Sequence, residues 1–373
     1  MKLVVPTEIY EGESRVGITP DCVQSLKKMG FKVYVQKDAG ISSSFTDDDY
    51  KKNGASISSK VSDLYKNAEL VIKVQRPTKI KSINEYRFLK DCNILTLLYE
   101  QKFKTEFNLL KNLKVNVFAL EKMPRISRAQ SMDVLSSQSN LSGYKAVIDA
   151  ASEFNKAFPL MMTSAGTVAP AKVLIIGAGV AGLQAIATAK RLGAVVSSFD
   201  VRASTKEQVE SLGAKFIEVE GQDSGETAAG YAKEMSKAYK KKQNALLEES
   251  IKKMDIVITT ALIPGKPAPK LISKKMVDSM KVGSIVVDLA SEFGGNCELT
   301  KHGEIVVHKS KKIIGPKNLA STVAQDSSRL YSKNVINFLQ NSCESGVFKR
   351  FNWEDEVVKE TCIIKNFITK KEK

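Results

Sequence analysis

Residues 172–202 read KVLIIGAGVAGLQAIATAKRLGAVVSSFDVR, and the order of residue types in this stretch decides the fold. An apolar, β-branched run over residues 173–176 stops at Gly177. Gly179 and Gly182 complete a G-x-G-x-x-G spacing, and a helical pattern opens through Leu183, Ile186 and Ala189. A second β-branched run follows and ends on Asp200, about twenty residues past the glycines. The glycines alone carry little. A strand before them, a helix after them and an acid at the end of the next strand supply the context in which each has a task. Gly177 allows the tight turn, Gly179 lets the backbone approach a pyrophosphate, and Gly182 lets helix and strand pack closely. The helix N-terminus stabilises phosphate charge. Asp200 can accept hydrogen bonds from the adenosine ribose hydroxyls, and its charge repels a 2′-phosphate, so NAD(H) is expected over NADP(H). Arg202 pulls the other way, because an arginine at this place can serve a phosphate.

Outward from this unit, short β-branched runs alternate with helical patterns along the chain, the signature of parallel sheets wound with helices. Residues 2–5, 32–36, 69–74, 94–99 and 115–120 form one set of runs; residues 172–177, 195–200, 215–220, 255–262 and 284–290 form another. Thr19, Pro20 and Gly30 bracket a helix with Val23, Leu26 and Met29 on one face. Pro170 marks a joint before the second set. Two long helical patterns lie between the sets. One carries Leu141, Tyr144, Ile148, Ala151 and Phe154 at three-to-four spacing, and the other covers residues 322–342. The expected fold class is α/β: two Rossmann-like, doubly wound parallel-sheet domains joined by two long helices. Residues 1–138 plus 326–373 form a discontinuous N-terminal α/β domain, and residues 139–325 form the dinucleotide-binding domain. A cleft between two such domains is a default ligand site.

The composition excludes several classes. At 373 residues with 43% hydrophobic and 26% charged content, the chain has the balance of an ordinary soluble globular protein. No apolar run reaches the roughly 18–20 residues of a membrane span. The N-terminus MKLVVPTEIYEGESR meets proline and charge too early for a signal peptide. Five scattered cysteines without a C-x-x-C argue for a reducing compartment. The two histidines, His302 and His308, give no basis for a metal site. A net charge of +16 comes from lysines spread in short clusters with no nucleic-acid motif, so the reading is a solvated surface, with a contribution to docking near a membrane left open.

Three further segments are candidates for ligand contact. Residues 123–147, MPRISRAQSMDVLSSQSNLSGYKAV, crowd Arg125, Arg128, Gln130 and Asp133 directly before a helical pattern. They either hold a ligand or form a polar linker whose Ser136 or Ser137 caps the helix. Residues 221–243, GQDSGETAAGYAKEMSKAYKKKQ, set small residues on both sides of Tyr231, as in a lid or in a plain surface loop. The runs ITTALIPGKPAP (258–269) and VDLASEFGGN (287–296) place Thr260, Ala261, Leu262, Asp288, Glu292, Gly294 and Gly295 beyond strand ends, where ligands of parallel sheets bind.

The segments VPTEIYEGESRVGITP (5–20) and ELVIKVQRP (69–77), the fingerprint and PRISRAQSMDVLSSQ (124–138) together resemble the alanine dehydrogenase and transhydrogenase family over essentially the whole chain, and its transhydrogenase branch in particular. The resemblance implies that Arg125, Ile126, Ser127, Asp133 and Ser136 hold the carboxamide and ribose at the nicotinamide end of NAD(H). It implies that Gln130 reaches to NADP(H) on a partner subunit, and that Gln130, Arg125 and Asp133 are the catalytic set. It sets Val180, Ala181, Val201 and Leu262 against the dinucleotide beside the glycines, Asp200 and Arg202, and matches Gly230, Tyr231 and Gln243 to a mobile loop. Alanine dehydrogenases need an acid/base near the ring. Their arginine and lysine correspond to Arg15 and Lys73. Their histidine falls in TLLYEQ (96–101), which has none, and their aspartate falls on Glu292. Direct hydride transfer between two nicotinamides needs no such group. The expected function is therefore that of the NAD(H)-binding subunit of a proton-translocating transhydrogenase, handing hydride from NADH to NADP on a partner. A homodimer is implied, as are membrane-embedded partners (a second alpha component and a beta subunit) that hold the chain at the cytoplasmic face of the inner membrane. No metal or nucleic acid is implied. The alternatives are a soluble NAD-dependent amino-acid dehydrogenase and a non-catalytic NAD-binding regulatory module.

Overall fold

The β-branched runs become strands of two separate sheets, both dominated by parallel pairing. A computed structural model describes residues 1–80, 83–219, 236–263 and 266–367. The chain divides into two compact units, Met1–Gln138 with Ala320–Lys373, and Ser139–Leu319. The outward crossing lies within the helix Val134–Glu153, and the return lies at Ala320, within the short helix Leu319–Thr322, rather than at residue 326. Among the described residues, no helix is long and apolar enough to cross a membrane. All five cysteines are free thiols.

In the first unit the seven strands run in the order Cys362–Lys365, Val115–Ala119, Cys92–Leu97, Leu70–Gln75, Lys2–Val5, Lys32–Gln36, Ser56–Ser58. Only Cys362–Lys365 pairs antiparallel. The central strands are buried along their length, which is why they read as continuous apolar runs without alternation. The helix Ala324–Gln340 holds the N-terminal segment by side chains that look merely polar in the sequence. Ser328 Oγ accepts the Val16 N–H at 3.0 Å, Ser332 Oγ accepts the Thr19 N–H at 2.9 Å, and the Tyr331 hydroxyl donates to the Lys73 carbonyl at 2.7 Å.

A buried ionic cluster sits beside these bonds. The register of Leu70–Gln75 shifts between Ile72 and Gln75, and such bulges re-aim side chains. Lys73, within the shift, contacts Glu8 at 3.2 Å and Glu85 at 2.7 Å. Arg15 donates to both oxygens of Glu13, at 2.7 and 2.6 Å, and to Gln138 Oε1 at 2.7 Å. Three carboxylates thus face two cations away from water. Although burial pushes Glu13 up, the Arg15 guanidinium holds its carboxyl down at about 2. Glu8 takes the surplus: burial pushes it up to about 7, with Lys73 pulling down and Glu85 and Glu13 pushing further up.

In the second unit the order is Lys215–Ile217, Val195–Phe199, Lys172–Ile176, Ile256–Thr259, Ile285–Asp288, Lys311–Gly315, Glu304–His308, with only Glu304–His308 antiparallel. Lys172–Ile176 lies between Val195–Phe199 and Ile256–Thr259. The chain visits one neighbour and then the other, so the strand order reverses here and opens a crevice at the carboxyl ends. The face of Val134–Glu153 expected from Leu141, Tyr144 and Ile148 is not the buried one in this unit. Ala146, Val147 and Ala150 are buried with Gly143, and Tyr144 is 39% exposed. The reason is close approach. A Cβ on Gly143 would lie 2.1 Å from the Ala181 carbonyl oxygen, so only small residues fit this face, and small residues carry a weak hydropathic signal.

The carboxyl of Glu8 has a folded pKa of about 7, above its ordinary value of 4.5, so the folded chain binds a proton that the unfolded chain releases. Its stabilising contribution is full below about pH 4.5 and is lost as the pH rises through 7. Melting temperatures across roughly pH 5 to 8 should fall in the wild type and fall less steeply in Glu8→Gln; parallel slopes would show that Glu8 is not the group that titrates.

Candidate functional site

The carboxyl edge of the second sheet is built around the fingerprint turn. Gly177 has φ of +102°, a conformation that side chains disfavour, and its N–H donates to the Phe199 carbonyl at 2.8 Å. A Cβ on Gly182 would lie 1.8 Å from the Gly177 carbonyl oxygen. Thr260 closes the turn from the next strand end, its hydroxyl donating to Gly177 O at 3.1 Å and its N–H to Ile176 O at 2.9 Å. Gly179 differs from its neighbours: its φ is −79°, which any residue adopts, and a Cβ there would meet nothing within 4 Å. Nothing in the fold requires a glycine at 179, but a ligand whose phosphates approach the backbone does.

The helix Val180–Arg191 begins at Gly179 with no side-chain cap and no acidic residue in its first turn. Its first N–H groups and the positive end of its dipole therefore face outward, as an anion site requires. Val180 is 41% exposed and Leu262 40% exposed, so both present apolar surface, while Ala181 and Val201 are half-buried. Asp200 is buried, and Oδ2 of its carboxylate accepts the Ala178 N–H at 2.7 Å. Arg202 donates to the same carboxylate from Nε at 2.9 Å and Nη2 at 2.8 Å. An open glycine, an uncapped helix N-terminus and an acid at the next strand end fit a dinucleotide.

Gln243 is buried, on the helix Lys237–Ile251, one turn beyond Tyr239, whose phenol is pushed up by burial and by the charge of Asp200. Gly230 and Tyr231 lie outside the described residues. Asp288 is a structural knot: it is fully buried and accepts from the Thr259 hydroxyl, the Ala290 and Cys297 N–H groups and the Thr300 hydroxyl, between 2.7 and 3.1 Å. Glu292 is half-buried on the short turn Ser291–Phe293. Sequence reasoning missed Asn296, which is fully buried, donates to the Ala261 and Pro269 carbonyls at 2.8 and 2.9 Å, and accepts the Ala261 N–H at 3.1 Å. A lone asparagine after a glycine pair carries no signal of this. His308 pairs with Asp278 at 2.7 Å, and His302 Nδ1 meets the Ser291 hydroxyl at 3.1 Å.

The polar stretch 124–138 belongs to the first unit. Its six-residue turn Ser127–Met132 sinks Ala129 and Met132 into the core and leaves Arg125, Ser127 and Gln130 exposed, with Ile126 packed against the core. Arg128 is an anchor, donating to Asp355 at 2.8 and 3.3 Å and to Asn341 at 3.1 Å. Asn334 and Asn337 donate to the Ser131 carbonyl at 2.8 and 2.9 Å. Asp133 rather than a serine caps the following helix: Oδ1 accepts the Ser136 N–H at 3.0 Å, and Oδ2 accepts the Ser136 hydroxyl at 2.6 Å. Ser137 instead donates to Asn334 at 2.7 Å. The crowding in the sequence thus separates into anchors, a cap, and exposed polar side chains, with Arg125 just before the turn and Ser127 and Gln130 on it.

Two glycine substitutions separate folding from binding. Gly182→Ala forces a methyl against a carbonyl and should cost about 3 kcal/mol or more. Gly179→Ala should leave the melting temperature close to wild type, within about 1 kcal/mol, yet weaken NADH binding on the order of tenfold or more, since the methyl stands in the phosphate path. Thermal melts alongside NADH fluorescence titration read both; loss of stability without loss of binding in Gly179→Ala would reverse the assignment.

The comparisons with known proteins agree with this geometry. Residues 4–142 match the family model described as alanine dehydrogenase/PNT, N-terminal domain, and residues 146–371 match its C-terminal counterpart. A Rhodospirillum rubrum protein, named as the first portion of the NAD(P) transhydrogenase alpha subunit, is 51% identical over 371 residues, covering 98% of this chain and 97% of that protein. The crystal structure of transhydrogenase from Sinorhizobium meliloti superposes with a TM-score of 0.88 at 44% identity, covering 98% of both chains. An L-alanine dehydrogenase structure superposes with a TM-score of 0.80 at 23% identity, over 98% of this chain and 96% of that one, and so shares the fold. With both of its units matched, the chain belongs to the alanine dehydrogenase/PNT family.

Proposed function

We propose that this chain is the NAD(H)-binding component of a proton-translocating transhydrogenase, and that it hands hydride from NADH directly to NADP carried by a partner subunit. The observation that carries the reading is the fingerprint turn, with Gly179 open, the helix behind it uncapped and Asp200 at the neighbouring strand end. The likeness over nearly the whole chain to a protein named as a transhydrogenase subunit selects the branch. Bound NADH supplies the hydride. Gly177, Gly179 and Gly182 admit the pyrophosphate, Asp200 takes the ribose hydroxyls, and Val180, Ala181, Val201 and Leu262 line the path. Arg125, Ile126 and Ser127 orient the carboxamide, and Asp133 with Ser136, already locked to each other, hold the ribose. Gln130, exposed on its turn, reaches the second nucleotide. Gln243 contributes to the nucleotide site from the helix Lys237–Ile251 rather than from a mobile loop.

Transfer from ring to ring requires placement and exclusion of water rather than a proton shuttle. Two buried cations of the first unit agree with that: Arg15 is engaged by Glu13 and Gln138, and Lys73 by Glu8 and Glu85. A substrate carboxylate would have to displace those partners, and residues 96–101 offer no histidine, which disfavours an amino-acid dehydrogenase. In this reading the chain works as a homodimer held at the cytoplasmic face of the inner membrane by membrane-embedded partner subunits, where proton movement is coupled. By itself it should release no ammonia from alanine and NAD.

Gln130→Asn withdraws the amide by about 1.5 Å, one carbon–carbon bond. When catalysis consists of positioning, that can slow transfer by about a hundredfold. NADH affinity should change little, whereas Arg125→Ala should weaken it. Stopped-flow transfer with an added NADP-binding component, and equilibrium dialysis of NADH, separate the two effects. Equal loss of NADH affinity in both variants with unchanged transfer at saturation would sink the division of roles.

A further inference from the structure

The carboxylate of Asp200 is saturated. A carboxylate accepts about four hydrogen bonds, and four donors are in place: the Ala178 N–H at 2.7 Å, the Arg202 N–H at 2.9 Å, Arg202 Nε at 2.9 Å and Arg202 Nη2 at 2.8 Å. Two of these are main-chain groups, one in the fingerprint turn and one just past the strand end, so the fold holds them where they are. The other two are the fork of one guanidinium on rotatable bonds. The pair is shielded, with side-chain exposures of 16% and 5%. Any ribose diol that is to hydrogen-bond Asp200 must take the lone pairs that the guanidinium now holds.

We propose that Arg202 is the residue that sets how strongly this site discriminates between NAD(H) and NADP(H), by competing for Asp200 and by cancelling its charge; the proposal rests on the reading of this edge as a dinucleotide site. While paired, the guanidinium neutralises the carboxylate that would turn a 2′-phosphate away. Once displaced from the carboxylate by an incoming ribose, it remains tethered two residues from Asp200. There it is a planar two-pronged donor suited to phosphate oxygens. Asp200 favours the unphosphorylated nucleotide, and Arg202 limits how far that preference goes. The contribution is one of specificity, with no part in hydride transfer.

The test is titration of the full chain with NADH and with NADPH, followed by nucleotide fluorescence, for wild type, Arg202→Gln, Arg202→Lys and Asp200→Asn, each with a thermal melt. Arg202→Gln should bind NADH as tightly as wild type or more tightly and lose NADPH. Its NADH-to-NADPH affinity ratio should rise on the order of tenfold, the scale of one charged hydrogen bond. Arg202→Lys keeps the charge without the fork and should give a smaller rise; it also serves as the measurement if the glutamine variant does not fold. Asp200→Asn should lower the ratio. Added salt should weaken NADPH binding more in wild type than in Arg202→Gln, because the phosphate contact is ionic. An unchanged or lowered ratio in both Arg202 variants, with NADH still bound, overturns the proposal. A wild-type chain that binds neither nucleotide overturns instead the dinucleotide reading beneath it.

Discussion

The second unit depends on backbone meeting backbone without side chains between. The Gly177 carbonyl lies where a Cβ of Gly182 would be, and the Ala181 carbonyl lies where a Cβ of Gly143 would be. Three elements are stacked through these contacts: the strand Lys172–Ile176, the helix Val180–Arg191 and the long helix Val134–Glu153. Their closeness sets the direction of the helix N-terminus and the depth of the turn, and with them the place where a phosphate can approach. Asp200 and Thr260 then tie the turn to the strand ends on either side, so the site is made rigid by the fold before any ligand arrives.

A different constraint shapes the first unit. Its polar core holds more carboxylates than cations, and the low-dielectric surroundings make the surplus charge costly. The cluster answers by geometry: Arg15 reaches Gln138, Gln75 donates to Glu13, Val74 donates its N–H to Glu8, and Glu8 is left as the group that gains a proton near neutrality. Arg15 and Lys73, which stand at the arginine and lysine positions of the alanine dehydrogenases, are paired here with the carboxylates of this core. The helix Ala324–Gln340 closes it by hydrogen bonds from serines that satisfy the backbone of residues 16–19.

The polar stretch 124–138 joins anchored and exposed polar groups in one segment. Arg128, Ser131, Asp133 and Ser137 hold the turn and the helix that follows, and Arg125, Ser127 and Gln130 are exposed beside them. A crowd of polar residues in a sequence is therefore a mixture, and only partners in space sort it.

The sequence by itself determined the features whose cause is local. β-branched runs between helical patterns make parallel strands, and the glycine spacing with Asp200 at the next strand end places the fingerprint. The apolar runs buried on both faces were legible because burial there is continuous. The short edge strands Ser56–Ser58 and Cys362–Lys365 were not, because they lack a continuous apolar run and owe their state to a neighbour, nor was the pair Glu304–His308 and Lys311–Gly315. Only the tertiary structure decided the buried face of Val134–Glu153, since glycine and alanine gain their place by close packing rather than by hydropathy. It alone decided that Asn296 ties Ala261, that Asp133 is the cap, and that Arg202 saturates Asp200. Each of these is a hydrogen bond or contact whose partner is chosen by geometry, and a residue's type states what it can donate or accept but not what the fold brings to it.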